Sequence, residues 1–183
     1  RQALRGGGHD YNREFSATGY SIGYESPALS DGRLQKAHLA TEAPQPSQGF
    51  VFNLQKPMFQ DRRVRQALAM LWDFEWSNRQ MMRNMYIRQQ SFFSNTDLAA
   101  RQLPDAGERA ILEPLRGQIP DEVFTTVFEA PKTDGSGVIR DKQLQALDLL
   151  EQAGWKPDGD QLVNADGDPL SFTFLVSQNG MDR

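Results

Sequence analysis

Hydrophobic and polar positions follow two different periods along this chain, and each period predicts its own element. Val64, Ala67, Leu68 and Leu71 recur at i, i+3, i+4 and i+7, one stripe of an amphipathic helix, and Asp61 precedes them as an N-cap. Asp73, with Glu75 two residues on, predicts a second helix start, running through Trp76, Met81, Met82 and Met85 until residues 91–95 interrupt it. A further helix is expected over 106–115, between Pro104 and Gly117. The clearest one is expected over 141–153. Asp141 caps it, Leu144, Leu147 and Leu150 line one face with Ala153, and Gly154 takes the left-handed position after the last turn. Trp155 then falls where a closing hydrophobic contact belongs.

Period two governs the end of the chain. Leu170, Phe172, Phe174 and Val176 alternate with Ser171, Thr173, Leu175 and Ser177, which predicts a strand with one apolar face. It is expected to form a hairpin with residues 161–163 across a turn at 164–168. Phe50, Val51 and Phe52 predict another strand over 48–54, ended by Lys56-Pro57. Shorter extended pieces are expected at 10–15 and 38–41, in a region punctuated by Gly19, Gly23, Pro27, Gly32, Pro44, Pro46 and Gly49. Residues 1–5 read as a helix end broken by Gly6-Gly7-Gly8, residues 120–131 as mixed, and residues 132–137 as a loop.

Composition narrows the chemistry. The chain has 183 residues, 38% of them hydrophobic, enough to build a core. There are no cysteines, which removes disulfides, thiolate metal sites and Cys nucleophiles together, and with two histidines a His-rich metal site is excluded as well. The longest apolar run, residues 67–72, is far too short to span a bilayer, so no membrane insertion is expected. A net charge of −4 argues against a nucleic-acid partner. Charge is uneven: residues 61–101 carry seven basic and four acidic side chains, residues 102–183 seven and fifteen. Arg62, Arg63, Arg65, Arg79, Arg83 and Arg88 could suggest phosphate binding, but they read more simply as a solvated helix face with aliphatic stems laid down. No segment reads as a signal peptide, and residues 1–5 look like the inside of a helix, so the chain is read as a fragment.

Catalytic patterns are absent from the sequence. Gly6-Gly7-Gly8 and Gly135-Ser136-Gly137 lack the Lys of a phosphate-binding loop. Asn164, Asp166 and Asp168 alternate as calcium ligands do, but Pro169 stands where Gly is needed and Leu175 where a bidentate Glu is needed. There is no Gly-x-Ser-x-Gly elbow, and no pair of carboxylates stands out. No catalytic residue, metal or cofactor is therefore expected. What remains is a group of aromatics, Trp72, Phe74, Trp76, Tyr86, Phe92 and Phe93, near Arg88, Ser91 and Asn95, which suits either a ligand pocket or, for Trp72, Phe74 and Trp76, a core.

Three runs carry a resemblance. Residues 49–68, with Asn53 ending a strand, Lys56-Pro57-Met58-Phe59 turning, then Asp61-Arg62-Arg63-Val64-Arg65 and Gln66-Ala67-Leu68, resemble the strand–turn–helix signature of family 5 extracellular solute-binding proteins. Leu149-Leu150-Glu151-Gln152-Ala153-Gly154-Trp155 and Leu162-Val163-Asn164-Ala165-Asp166-Gly167 resemble two further signatures of that family. These are the oligopeptide-, dipeptide- and nickel-binding receptors of ABC importers. Asp73-Phe74-Glu75-Trp76, residues 86–95 and Thr133-Asp134-Gly135-Ser136-Gly137 look like its Yej-type subgroup, associated with oligopeptides and the peptide-nucleotide antibiotic microcin C.

The resemblance implies a mixed α/β fold, part of a two-lobe periplasmic binding protein of type II with mixed sheets flanked by helices. Residues 1–48 would be the interlobe crossover and strand segment, and residues 49–183 a partial second-lobe domain. Asn53, Asp61, Arg63, Val64, Arg65, Gly154 and Trp155 would be scaffold. Glu14, Ser16, Arg88, Ser91, Phe92, Phe93 and Asn95 would face the ligand. The function implied is non-catalytic capture of an oligopeptide or peptide-like ligand in the periplasm, for delivery to ABC importer permease subunits. A carboxylate-dependent hydrolase on the same scaffold and a ligand-sensing or chaperone-like module are the rival readings.

Overall fold

The computed structural model describes residues 2–176. In chain order its helices are α1 (Gln2–Arg5), α2 (Ala17–Ile22), α3 (Pro27–Ser30), α4 (Pro57–Gln60) and α5 (Arg62–Met70). Then come α6 (Phe74–Met81), α7 (Ala106–Leu112) with a 3-10 turn at Glu113–Leu115, α8 (Glu122–Thr125) and α9 (Arg140–Gln152). The strands β1 (Lys156–Asp158) and β2 (Gln161–Val163) follow. Two compact units are formed, one from Arg1–Phe50 with Asp73–Gly137, the other from Val51–Trp72 with Val138–Arg183.

The second unit has the hydrophobic core. α5 starts at Asp61, whose carboxylate accepts the Arg63 amide at 2.8 Å, the cap its sequence predicts. Its stripe buries Val64 and Ala67 completely against Ala146 and Leu150 of α9, with Phe59 and Trp155 closing the cluster. Arg63 donates to the Gln152 carbonyl at 2.7 Å, and Arg65 donates to the Gln60 carbonyl at 2.9 Å and to that of Phe59. Thus the two scaffold arginines satisfy helix-end and turn carbonyls, and Arg63 also pairs with the Asp61 carboxylate of the same turn. Asn53 accepts the Gln55 amide and so makes the turn into α4, a helix that Pro57 opens. α9 ends as expected: Gly154 has φ of 93°, the Trp155 amide reaches the Leu150 carbonyl and the Gly154 amide that of Glu151.

Several expectations are corrected. α9 begins one residue early, after Ile139, which makes no side-chain cap bond, and Asp141 lies in the first turn instead of capping. Its buried face carries Ala146 and Leu150, with Leu149 and Ala153 beside them. Leu144 is 57% exposed and Leu147 is half-buried, because the core partner is the narrow Val64/Ala67 face, which meets a stripe rotated from the leucine row. β2 pairs with β1 in an antiparallel hairpin, Pro157 opposite Leu162. The turn at 164–168 is present, and a bridge joins Val163 to Pro169, but residues 171–176 form no strand. Their aromatics meet edge to face instead, Phe172 against Phe59 and Phe174 against Phe172, both pairs with ring centroids 5.4 Å apart. Strand backbone needs a neighbour to bond, and none flanks residues 171–176 among the described residues. Residues 10–15, 38–41 and 48–54 are likewise not strands, and Val51 is 96% exposed.

In the first unit, α1 and the break after it are as expected, while α2 and α3 were not foreseen. α2 is capped by Ser16, which accepts the Gly19 amide at 3.1 Å. α6 stops at Met81, short of Met85, because Arg83 and Asn84 both turn left-handed, at φ of 56° and 57°. α7 is held by a capping box between Asp105 and Glu108 and tightens into the 3-10 turn at Glu113, whose neighbour Pro114 cannot continue the α pattern.

The rotated α9 face gives a prediction. Leu150→Ala should cost about 2–5 kcal/mol, a buried large-to-small change. Leu144→Ala should stay within about 0.5 kcal/mol of wild type. Chemical denaturation of both variants measures this, and equal losses would restore the leucine-row face.

Candidate functional site

Residues 86–95 contain five of the seven residues singled out for ligand contact, and the structure shows what their polar atoms do. Arg88 donates to the Pro131 carbonyl and stands over the Phe74 ring, 5.9 Å from its centroid. Burial pulls its pKa down and the Glu75 charge opposes that. Gln89 donates to Ser47 at 3.0 Å and accepts the Gln48 amide at 3.1 Å, while Gln90 accepts the Ala130 amide at 2.7 Å. Ser47 donates to the Phe92 carbonyl and the Gln45 amide to that of Ser94. Ser91 accepts the Phe93 and Ala100 amides. Asn95, at φ of 61°, donates to the carbonyls of Thr41 and Ala43, each at 2.8 Å. Side chains from this segment thus bond it to residues 41–48 on one side and 130–131 on the other. No strand ladder is involved.

Arg88, Ser91 and Asn95 are therefore engaged within the unit, and the apolar side chains are the ones left outward. Ile87 is 94% exposed, Phe92 82% and Phe93 57%. Of the other aromatics, Phe74 is buried, whereas Trp72, Trp76 and Tyr86 are partly exposed. Glu14 and Ser16 belong to a different local arrangement. The Glu14 carboxylate accepts the Phe15 and Ser16 amides and the Tyr24 hydroxyl, and Ser16 caps α2. An open basin of about 500 Å³ adjoins Asn95, lined by Glu42, Pro44, Thr96, Asp97 and Arg101. A second basin, about 370 Å³, lies in the other unit beside Pro57, Met58, Asp61 and Trp155, where Asp61 is already committed to its cap and to Arg63 at 2.6 Å.

Beneath the segment, α6 holds a second loop. Asp73, 8% exposed, accepts the amides of Trp76 at 2.9 Å and Gly137 at 3.1 Å, and the Thr133 hydroxyl lies between its carboxylate and that of Glu75. Glu75 also accepts the Thr133 amide, and Arg79 donates to the Gly135 carbonyl. Burial pushes the Asp73 carboxyl up, but the Thr133 hydroxyl and the two amides outweigh it and hold the group below the usual carboxylate range. Sequence reading found Asp73 as a helix start and residues 133–137 as a loop, without pairing them. It passed over Asn78 and gave Gln89 and Gln90 no role beyond their place in the run 86–95, since an isolated amide side chain carries no spacing pattern. Among the described residues no cluster of three His, Cys, Asp or Glu side chains could hold a metal, and no helix is long and apolar enough to cross a membrane.

Comparison with known proteins places the chain in a family of solute-binding proteins. The family model described as bacterial extracellular solute-binding proteins, family 5 Middle, matches residues 1–183. The chain belongs to that family. It is 39% identical over 176 residues, 96% of its length, to the Escherichia coli (strain K12) protein named "Uncharacterized protein YejA", covering 29% of that protein. It is 35% identical, over an alignment of 185 positions that covers the whole chain, to the "Probable peptide-binding protein YejA" of Agrobacterium fabrum, covering 30% of that protein. The "Peptidoglycan-binding protein YepA" of the same organism is 30% identical over 161 residues, 87% of this chain and 26% of that protein. The chain thus spans less than a third of the length of these relatives.

Two predictions test the α6 clasp. A carboxyl held low in the folded state stabilises it above the unfolded pKa, about 3.9, and that contribution is lost as pH falls through the folded value. Melting curves of the complete protein from about pH 6 downward should therefore show a shallower acid loss in Asp73→Asn than in wild type; identical acid limbs would refute the clasp. Gly137 has φ of 82°, and a Cβ there would sit 2.8 Å from the Trp76 indole nitrogen, whereas Gly117, at φ of 84°, has open space. Gly117→Ala should cost about 1–2 kcal/mol of backbone strain, and Gly137→Ala clearly more by denaturant titration. Equal costs would mean that Trp76 simply moves aside.

Proposed function

We propose that the complete protein carrying this chain is a periplasmic receptor that captures oligopeptides or peptide-like compounds and delivers them to the permease subunits of an ABC importer, without chemistry on the ligand. The observation that carries this reading is the family match across residues 1–183, together with 35% identity along the whole chain to a protein named as a probable peptide-binding protein. In this proposal residues 49–183 belong to one of two lobes, residues 1–48 form the crossover between them, and lobe closure buries the peptide. Within the chain, residues 86–95 form a wall of the ligand site. Phe92 and Phe93 offer apolar surface to peptide side chains, held at fixed positions by the polar framework behind them. The charged side chains at the Asn95 basin, Glu42, Asp97 and Arg101, supply both signs of charge, which suits a ligand with an ammonium and a carboxylate end. The similarity to a protein named for peptidoglycan binding favours a second ligand class, peptides attached to amino sugars.

Native mass spectrometry of the complete protein, purified without denaturation, tests the reading. A co-purified mass matching a peptide supports it, and a mass carrying amino-sugar increments selects the second class. Peptide cleavage products instead of intact ligand would bring the hydrolase reading forward. In the same protein, Phe92→Ala and Phe93→Ala should each weaken binding of that ligand by about tenfold, or 1.4 kcal/mol, with an unchanged melting temperature. Asn95→Ala should also cost about 1 kcal/mol of stability, since its amide secures residues 41–43. Calorimetric affinity unchanged in both phenylalanine variants would withdraw the segment from the site.

A further inference from the structure

Asn78 is a polar side chain in the middle of α6, nine-tenths buried, and no binding or cap role requires it there. Its carboxamide uses both ends on one residue. Nδ2 donates to the Tyr86 carbonyl at 2.7 Å, and Oδ1 accepts the Tyr86 amide at 3.2 Å. A single side chain thus does what a neighbouring strand would do, taking the donor and the acceptor of one peptide unit's residue together. The main chain of Asn78 adds a second hold, because its carbonyl accepts the amides of Met82 and Asn84. Between these two holds the chain passes through Arg83 and Asn84, both left-handed, at φ of 56° and 57°. Left-handed backbone is unfavourable for residues with a Cβ, so two in succession persist only where the surroundings impose them.

We infer that Asn78 is a positioning residue for the ligand-binding segment: by fixing both backbone groups of Tyr86 it sets the point and direction at which residues 86–95 leave α6. The inference rests on the reading that residues 86–95 line the ligand site. Three observations join the hold to that segment. Arg88 and Gln90, two and four residues beyond Tyr86, bond to Pro131 and Ala130 and so hold the segment that leaves Tyr86 against residues 130–131. The same helix carries Asp73, Glu75 and Arg79, which fix residues 133–137 just beyond that pair. One helix therefore sets both loops, and Asn78 supplies its hydrogen bonds to the backbone of the proposed ligand-binding one, beside the Phe74 ring under Arg88. A buried carboxamide with neither partner would leave its own polar atoms and those of Tyr86 unsatisfied, so the site has no low-cost alternative state.

The test uses the complete protein and needs no ligand for its first arm. In wild type, hydrogen exchange read residue by residue should find the Tyr86 amide slower than that of Ile87, its exposed neighbour, by about tenfold or more. Equal rates would overturn the inference without any variant. Asn78→Leu keeps the volume and removes both hydrogen bonds. It should erase the Tyr86 protection while amides of α5 and α9, in the other unit, keep theirs. The second arm titrates a synthetic pool of alanine-containing tri- to pentapeptides. Asn78→Leu should weaken binding about tenfold or more, and Phe92→Ala in the same titration reports on the segment itself. Lost protection with unchanged affinity in Asn78→Leu, while Phe92→Ala binds weakly, overturns the positioning role and leaves the site in place. Unchanged affinity in both variants removes the segment from the site, and the inference falls with it.

Discussion

A backbone amide or carbonyl taken from water must find a partner, and among the described residues of the first unit no sheet supplies one. Those residues hold helices and irregular chain, and the carbonyls of residues 41, 43, 86, 92, 94 and 131, exposed or half-buried, are met by side chains or by an isolated amide. Each such bond contributes only about 0.5–1.5 kcal/mol net, whereas leaving a buried group unpaired costs about 1–3. The asymmetry explains why Asn78, nine-tenths buried, has both ends of its carboxamide paired, whereas Gln89 and Gln90 are half-buried and Ser47 and Asn95 pair backbone groups at the surface. It also accounts for the buried Asp73, whose carboxylate is tolerated because two amides converge on it and a hydroxyl lies beside it.

The second unit coheres differently. Val64 and Ala67 of α5 lie flat on Ala146 and Leu150 of α9, small and branched residues that let the two helices approach closely. Trp155, placed by the left-handed Gly154, turns back over the same cluster. The arginines nearby close carbonyls at helix and turn ends, so the basic character of residues 61–65 is consumed in structure. A packed apolar core and a hydrogen-bonded loop framework thus sit in one chain, and they answer to different substitutions.

For binding, this division assigns roles. A receptor that takes varied peptides needs surfaces that tolerate different side chains and a framework that does not shift with them. In the proposed receptor, the exposed phenylalanines would meet the first need, since contact with an apolar ring is weakly directional. The amide-rich framework would meet the second. Polar residues in such a segment are therefore poor guides to ligand contact by themselves, because their hydrogen bonds can be spent inward.

Local interactions were legible in the sequence. Asp61 before an apolar stripe, Gly154 followed by Trp155, the turn at 164–168 and the helix start at Asp73 all depend on residues within a few positions of each other, and each stands in the structure. Family membership was legible for the same reason, its motifs being short scaffold signals at fixed spacing. The leucine row of α9 held at Leu150 and Ala153 but not at Leu144 or Leu147, since a row of leucines names a helix but not which part of its circumference meets a partner, and Val64 and Ala67 pack on Ala146 as well as Leu150. Phe50–Phe52 and the alternation after Leu170 misled because strand propensity becomes a strand only beside another. Asn78 was silent, since its meaning lies in the backbone of Tyr86, eight residues away across two left-handed turns. The sequence by itself determined the caps at Asp61 and Gly154, the helix start at Asp73, the turn at 164–168 and the family; which faces are buried and which polar groups are used inward was decided by tertiary packing, because both depend on neighbours that chain order does not bring together.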